Sequence, residues 1–171
     1  MKILLSLSAL FLASTLHAGE RHQHREHAAH VHGSAELAMA FEGTQGKIDF
    51  KSPSESIFGF EHVAKTAEDK KTLDDALKKI EKNIDQMIRF DQTLKCQFSK
   101  EKIDVIFEEK KHSSTVAIFN VKCEKPVLGS KLTFNIQKFF PRLKEIDVQI
   151  ILDNFQKSLK LKSDGNSLEL K

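Results

Sequence analysis

Apolar and polar residues alternate in the segment that begins at Val31, the pattern of a strand with one buried face. The apolar side holds Val31, Ala35, Leu37, Met39 and Phe41. Residues 43–46 form a turn sequence with two glycines, and residues 47–51 alternate again. The two alternating segments therefore predict a β-hairpin.

Between residues 66 and 90 the apolar residues recur every three or four positions, which predicts one amphipathic helix. Thr66 is suited to the N-cap, and Asp69 follows it at the capping-box spacing. The apolar stripe consists of Leu73, Leu77, Ile80, Ile84, Met87 and Ile88. We expect this stripe to cover a sheet, and a partner-binding face is the alternative.

After the helix the apolar period returns to two, which predicts further strands. The candidates are residues 96–98, 103–107, 115–123, 132–136 and 146–152. Residues 159–161 and 168–170 flank an Asp164-Gly165 turn and predict a terminal hairpin. Strands and helices do not alternate, so the predicted class is α+β, a mostly antiparallel sheet packed against one long amphipathic helix.

The first eighteen residues have the layout of a cleavable secretory signal. Lys2 gives a basic start, an uncharged apolar run follows, and small residues lead to Ala18. The run of about ten residues is half of what a membrane-spanning helix needs. We expect a signal peptide at 1–18, a His-rich metal-binding leader at 19–32 and a single α+β domain at 33–171. The mature chain would be periplasmic, with no stable membrane insertion after cleavage.

Cys96 and Cys123 are the only two cysteines, so one intramolecular pairing exists. An exported compartment favours oxidation, which predicts a structural disulfide. Two buried free thiols are the alternative. A redox or metal-thiolate pair would favour a Cys-x-x-Cys spacing, which this chain lacks.

Charge and motif content argue against several classes of function. The chain has 27 Lys and Arg residues and 24 Asp and Glu residues, and positive and negative charges alternate along it. A nucleic-acid binder would carry a clustered basic excess. The sequence has no His-Glu-x-x-His motif, phosphate loop or nucleophile elbow. We expect neither a nucleic-acid partner nor an enzyme.

Histidine is the unusual feature of the composition, because five of eight histidines fall between residues 22 and 32. They are His22, His24, His27, His30 and His32. Imidazole binds Zn²⁺, Cu²⁺ and Ni²⁺, so the cluster predicts a metal-binding segment. If the first strand reaches back to residue 30, His30 and His32 share a face, and the other histidines fold over to supply further ligands. A solvated polar leader and a pH-dependent switch are the alternatives.

Of the three other histidines, His17 lies in the predicted signal peptide and two lie in the mature chain. His62 follows Phe60 and Glu61 and is a candidate to complete the metal site, with a surface or core histidine as the alternative. His112 lies in a charged stretch, residues 108–114, and is interpreted as a solvated loop residue.

A series of short motifs spans most of the mature chain in a fixed order. It comprises residues 27–37, Ser52-Pro53, residues 59–62, residues 66–70, Cys96, residues 119–123, residues 139–141 and residues 146–149. The series resembles the ZrgA-like family of periplasmic zinc-uptake proteins. The resemblance implies an exported protein that binds zinc and assists its acquisition without catalysis. It implies His27, His30 and His32 as ligands, with His62 as a less secure addition.

The resemblance also implies a metal ion as cargo and a zinc transporter or its binding protein as partner. Ligand chemistry alone also admits copper or nickel. Many relatives carry a long His/Asp/Glu-rich insertion near residue 112, where this chain has only residues 108–114. We expect a lower zinc capacity and a larger role for the leader.

Two other functions compete with zinc acquisition. A metal-free periplasmic interaction module would present the sheet edge or the helix face. A metal-dependent hydrolase would need a general base beside an open metal position, and Glu26, Glu36 or Glu61 are the nearby candidates.

Overall fold

The computed structural model describes residues 31–108 and 112–171. The predicted signal peptide, most of the leader and His22, His24, His27 and His30 lie outside these residues. The strands are β1 (Ser34–Glu42), β2 (Gln45–Pro53), β3 (Ile88–Phe90), β4 (Gln97–Glu108), β5 (His112–Lys122), β6 (Lys131–Phe134), β7 (Glu145–Leu152), β8 (Phe155–Leu161) and β9 (Asn166–Glu169). The helices are α1 (Ser54–Phe58) and α2 (Ala67–Met87), with one 3₁₀ turn at Gln92–Leu94.

The strands of the described part of the chain form two sheets. The larger has the order β4-β5-β2-β1-β7-β8, and the smaller has the order β3-β6-β9. All pairs are antiparallel except β1 with β7, which is parallel. The core contains side chains of the larger sheet, α2 and the smaller sheet. The predicted α+β class is confirmed.

The first hairpin is confirmed, with Glu42 opposite Gln45 across a two-residue turn. The strand does not begin at Val31, however, because that side chain is 60% exposed and the strand starts at Ser34. Ser34 donates to the Val31 carbonyl through both its backbone N–H (3.1 Å) and its hydroxyl (2.6 Å). These bonds close a turn through His32 and Gly33, so β1 does not include His32, and His30 lies outside the described residues.

The long helix is confirmed with its capping box, because Thr66 and Asp69 exchange side-chain and backbone hydrogen bonds. The helix ends at Met87, and Ile88 belongs to β3 instead. Its buried residues are Ala76, Ile80, Ile84 and Met87. Leu77 is only partly buried, so the predicted stripe is wrong at this position: Ala76 occupies the inner face.

The predicted terminal hairpin is wrong. Strand β8 pairs with β7 in the larger sheet, whereas β9 pairs with β6 in the smaller one. The Asp164-Gly165 turn exists but is attached to the end of β6, since Gly165 N–H donates to the Phe134 carbonyl at 2.9 Å. The Gln137 N–H also donates to Asp164 Oδ1 at 3.0 Å. The turn therefore carries the chain from one sheet to the other.

Cys96 and Cys123 form a disulfide, as predicted. The bond joins the residue before β4 to the residue after β5. Nearby, the Glu124 N–H donates to the Leu94 carbonyl at 2.8 Å. The disulfide therefore holds the 3₁₀ turn against the end of β5. Among residues 31–108 and 112–171, no helix is both long and apolar enough to cross a membrane.

Candidate functional site

His32 lies in a turn that is fixed to two other parts of the fold. The Gly33 N–H donates to the buried hydroxyl of Ser56 in α1 at 2.8 Å. The Gly33 carbonyl accepts from the Lys144 N–H at 2.7 Å, just before β7. Gly33 has φ of +84°, and a Cβ there would lie 2.9 Å from the Lys144 side chain. A residue other than glycine would be strained here, so the turn holds His32 beside α1.

Glu61 reaches the same region from the segment after α1. The helix ends at Gly59, whose left-handed φ of +95° turns the chain. Phe60 then packs edge-on against Phe58 with ring centroids 4.7 Å apart. The Glu61 side chain is only 10% exposed, an unusual burial for a carboxylate, which normally needs a charged or hydrogen-bonded partner.

Two histidines meet this buried carboxylate. His112 Nδ1 donates to Glu61 Oε2 at 2.8 Å, and His32 Nε2 lies 3.6 Å from Glu61 Oε1. Glu55 Oε2 lies 4.0 Å from His32 Nδ1 on the other side of the ring. We call these four residues the Glu61 cluster. Glu61 Oε1 is buried and has no hydrogen-bond partner among the described residues.

The donors of the Glu61 cluster suit zinc chemically. At 3.6 Å the contact between His32 and Glu61 is too long for a hydrogen bond. Two ligands of a tetrahedral zinc ion, each about 2.1 Å from the metal, lie about 3.4 Å apart. The hydrogen bond from His112 to the other carboxylate oxygen is of the kind that orients a metal-binding carboxylate. One orphaned oxygen and one imidazole nitrogen are thus spaced as two zinc ligands.

The cluster does not by itself make a complete metal site. Within the described ranges, no three His, Cys, Asp or Glu side chains are grouped closely enough to hold a metal ion. Any further ligands would have to come from residues 1–30 or 109–111. His32 is the leader histidine closest in sequence to the folded part, so the leader enters the fold at this cluster.

His62 is directed toward the start of α2. Its ring stacks on Phe60 with centroids 4.5 Å apart, and Nε2 lies 3.4 Å from Asp69 Oδ2. Hydrogen bonds from Thr66, and then from His62, hold the pKa of the Asp69 carboxyl below its ordinary value. His62 therefore contacts the capping box of α2, and the ligand set proposed below does not include it.

Buried hydroxyl groups connect the elements that carry the cluster. They belong to Ser52, Ser54, Ser56, Ser114 and Thr115, each at most 1% exposed. The equally buried Ser113 hydroxyl has no hydrogen-bond partner among the described residues. The Ser54 and Thr115 hydroxyls lie 3.1 Å apart and join α1 to β5. The Ser52 hydroxyl donates to the Ser34 carbonyl at 2.8 Å and joins β2 to the start of β1. These bonds fix the positions from which His32, Glu61 and His112 converge.

The Glu61 cluster is not predicted from the sequence. There Glu61 enters only as a candidate general base and within the motif at residues 59–62, and the charged stretch around His112 predicts a solvated loop. Instead, His112 begins β5 and contacts Glu61 across 51 positions of sequence. No local motif signals such a contact, because it depends on how the segment after α1 and the start of β5 meet in the fold.

The family comparison agrees with the motif series. The family model for ZrgA family zinc uptake proteins matches residues 29–170. The chain belongs to the ZrgA family. The matched range includes His30 and the whole Glu61 cluster, whereas His22, His24 and His27 precede it. The chain matches none of the curated proteins.

Proposed function

We propose that this member of the ZrgA family is an exported periplasmic protein that binds zinc as cargo and assists its acquisition without catalysis. Family membership supports the role in zinc uptake. The observation that carries the binding proposal is the buried Glu61 Oε1, which has no hydrogen-bond partner among the described residues and faces His32 Nε2 at 3.6 Å.

The ligand set that we propose joins the leader to the folded part of the chain. Imidazoles of His27, His30 and His32 would bind the ion, and Glu61, His22 or His24 would take the remaining place. Five imidazoles within eleven residues raise one another's effective concentration to the millimolar range, so each added ligand strengthens binding. Glu61 would attach this group of ligands to a fixed point of the fold.

Several features fit a cargo ion better than a structural or catalytic one. The hydrophobic core, the disulfide and the capping box of α2 use none of the proposed ligands. Folding should therefore proceed without zinc, unlike that of small domains in which the metal is structural. A hydrolase would need a carboxylate base beside an open metal position. Glu61 is instead held by His112 and faces a second histidine.

A titration of the purified protein with Zn²⁺, Cu²⁺ and Ni²⁺ tests the proposal. The comparison is between the wild type and a triple His27→Ala, His30→Ala, His32→Ala variant. We expect the zinc affinity to fall by at least about 100-fold, since three ligands are lost, and the melting temperature without metal to stay unchanged. The single His62→Ala variant is the matched control and should bind zinc like the wild type.

Unchanged zinc affinity in the triple variant would contradict the proposal, because the site would lie elsewhere. Loss of the metal-free fold would show that the histidines are structural. The partner, a zinc transporter or its binding protein, would be identified by transfer of zinc from the loaded protein.

A further inference from the structure

Strand β4 forms one edge of the larger sheet. In the described part of the chain, no strand pairs with its outer side. The pairing of β4 with β5 is irregular between Lys100 and Lys102 and regular from Lys102 to Glu108. An unpaired edge exposes backbone N–H and C=O groups that another strand can bind.

Residues 103–108, in the regular half of β4, lack two of the features that usually protect an edge. This stretch contains no lysine and no proline, and its charged side chains are Asp104 and Glu108. Ile106 and Phe107 are 41% and 47% exposed, and they rank among the most exposed large apolar residues of the described chain. The bulge that distorts the other half of the strand ends before these residues.

One hydrogen bond shows which backbone groups face outward. The Val105 N–H donates to Asp104 Oδ1 at 2.8 Å, so it points away from β5. Outward direction alternates along an antiparallel strand, so Ile103 and Phe107 also present their backbone groups to the open edge. These residues form a row of three that can pair with a strand of the same pattern.

We propose that β4 pairs with β4 of a second copy of this chain, antiparallel, around a two-fold axis at Val105. In this register Ile103 lies opposite Phe107 of the second copy, and Lys102 lies opposite Glu108 of the second copy. Apolar pairs then occupy one face, and the Lys102–Glu108 pairs lie at the two ends of the other face, both of which stabilise cross-strand pairing. Between these charge pairs Asp104 lies opposite Ile106 of the second copy, a mismatch that weakens the pairing.

Neighbouring registers fit less well. An axis at Phe107 would match only residues 106–108 of β4 with one another and would leave Lys102 without Glu108 opposite it. An axis at Ile103 would carry the pairing into the irregularity between Lys100 and Lys102. Lys102 and Ile103 of one strand match Glu108 and Phe107 of an antiparallel copy of the same strand. A second copy of the chain therefore fits this edge better than an unrelated partner does.

Asp104 competes with this pairing. Its carboxylate accepts a hydrogen bond from the Val105 N–H, and the second copy would need this N–H as a donor. Assembly should therefore be weak in the wild type, and Asp104→Ala should strengthen it by releasing this N–H.

Sedimentation velocity in EDTA tests the proposal independently of zinc. Over about 10 μM to 1 mM, the range of weak association, we expect the mass to rise toward twice that of one chain. Lys102→Glu should weaken association at least about tenfold by opposing Glu108. The exchange Lys102→Glu with Glu108→Lys should restore it. Lys157→Glu, on β8 at the opposite edge, is the control and should change nothing.

A cross-link tests the register directly. Opposed residues in a hydrogen-bonded pair have Cα atoms about 5.5 Å apart, within reach of a disulfide. Val105→Cys should therefore form a covalent dimer on mild oxidation, and Lys157→Cys should not. A constant single-chain mass with no cross-link would overturn the proposal, as would association that Lys102→Glu leaves intact. A single-chain mass with the Phe107 amide protected from hydrogen exchange would overturn it too, by showing that the chain covers its own edge.

Discussion

The Nδ1 atom of His112 lies 2.8 Å from Oε2 of Glu61, although 51 residues separate the two in sequence. The contact joins the first residue of β5 to the segment after α1. The other oxygen of Glu61 faces His32 at 3.6 Å. One buried carboxylate therefore lies between two histidines from distant parts of the chain, and one of them, His32, is close to the first described residue.

The Glu61→Gln variant tests whether this carboxylate contributes to zinc binding. An amide oxygen is a weaker zinc ligand than a carboxylate, so we expect the zinc affinity to fall about 10-fold or more. Competition with a chromophoric chelator measures the affinity. The same change at Glu101 is the matched control, because Glu101 lies in the first half of β4 and pairs with Lys47. Equal affinities in both variants would remove Glu61 from the ligand set.

Truncations in α2 test the orientation of the helix on the core. Ile84 is buried in the cluster that contains side chains of both sheets, whereas Leu77 is only partly buried. Ile84→Ala should lower the free energy of unfolding by about 2–5 kcal/mol. Leu77→Ala should lower it by less than about 1 kcal/mol. Urea unfolding measures both, and a larger cost at Leu77 would mean that the helix is rotated.

Reduction of the Cys96–Cys123 bond should destabilise the fold. The two residues are 27 positions apart, and closing a loop of this length stabilises a protein by about 3.5 kcal/mol in the loop-entropy model. The intact mass should rise by two protons on reduction, and the urea midpoint should fall. A mass that reduction leaves unchanged would show that the bond is absent from the purified protein.

Because of the capping box of α2, the free energy of unfolding should vary with pH in the acid range. The Thr66 hydrogen bonds hold the pKa of folded Asp69 below 3.8, so ionised Asp69 stabilises the folded state above this value. The contribution is lost as pH falls through the lower pKa of the folded state. The difference in unfolding free energy between wild type and Asp69→Asn should be constant above about pH 5 and shrink toward pH 2. A difference that stays constant down to pH 2 would contradict the assignment.

The parts of the fold that the sequence predicts well are those set by neighbouring residues. Thr66 and Asp69 are three positions apart and define the start of α2 by themselves. The two-residue turn after Glu42 likewise fixes the first hairpin. Such features need only local hydrogen bonds and local periodicity.

The sequence predictions fail where contacts between distant segments determine the structure. The Asp164-Gly165 turn has the local signature of a hairpin. The strands on either side of it do not pair with each other, however, because β8 pairs with β7 and β9 pairs with β6. Within α2, the small Ala76 faces the core and leaves the larger Leu77 at the margin. The contact between Glu61 and His112 has no local signal, because it depends on where the start of β5 lies relative to the segment after α1.

The identity of the zinc ligands is tested most directly by ¹H–¹⁵N correlation spectra of the histidine side chains, recorded with and without one equivalent of Zn²⁺. Each ring reports whether one of its nitrogens has bound metal. We predict that the ring nitrogens of His27, His30 and His32 shift on loading and that those of His62 keep their metal-free positions. Unchanged signals from His27, His30 and His32 in a protein that has taken up zinc would contradict the account.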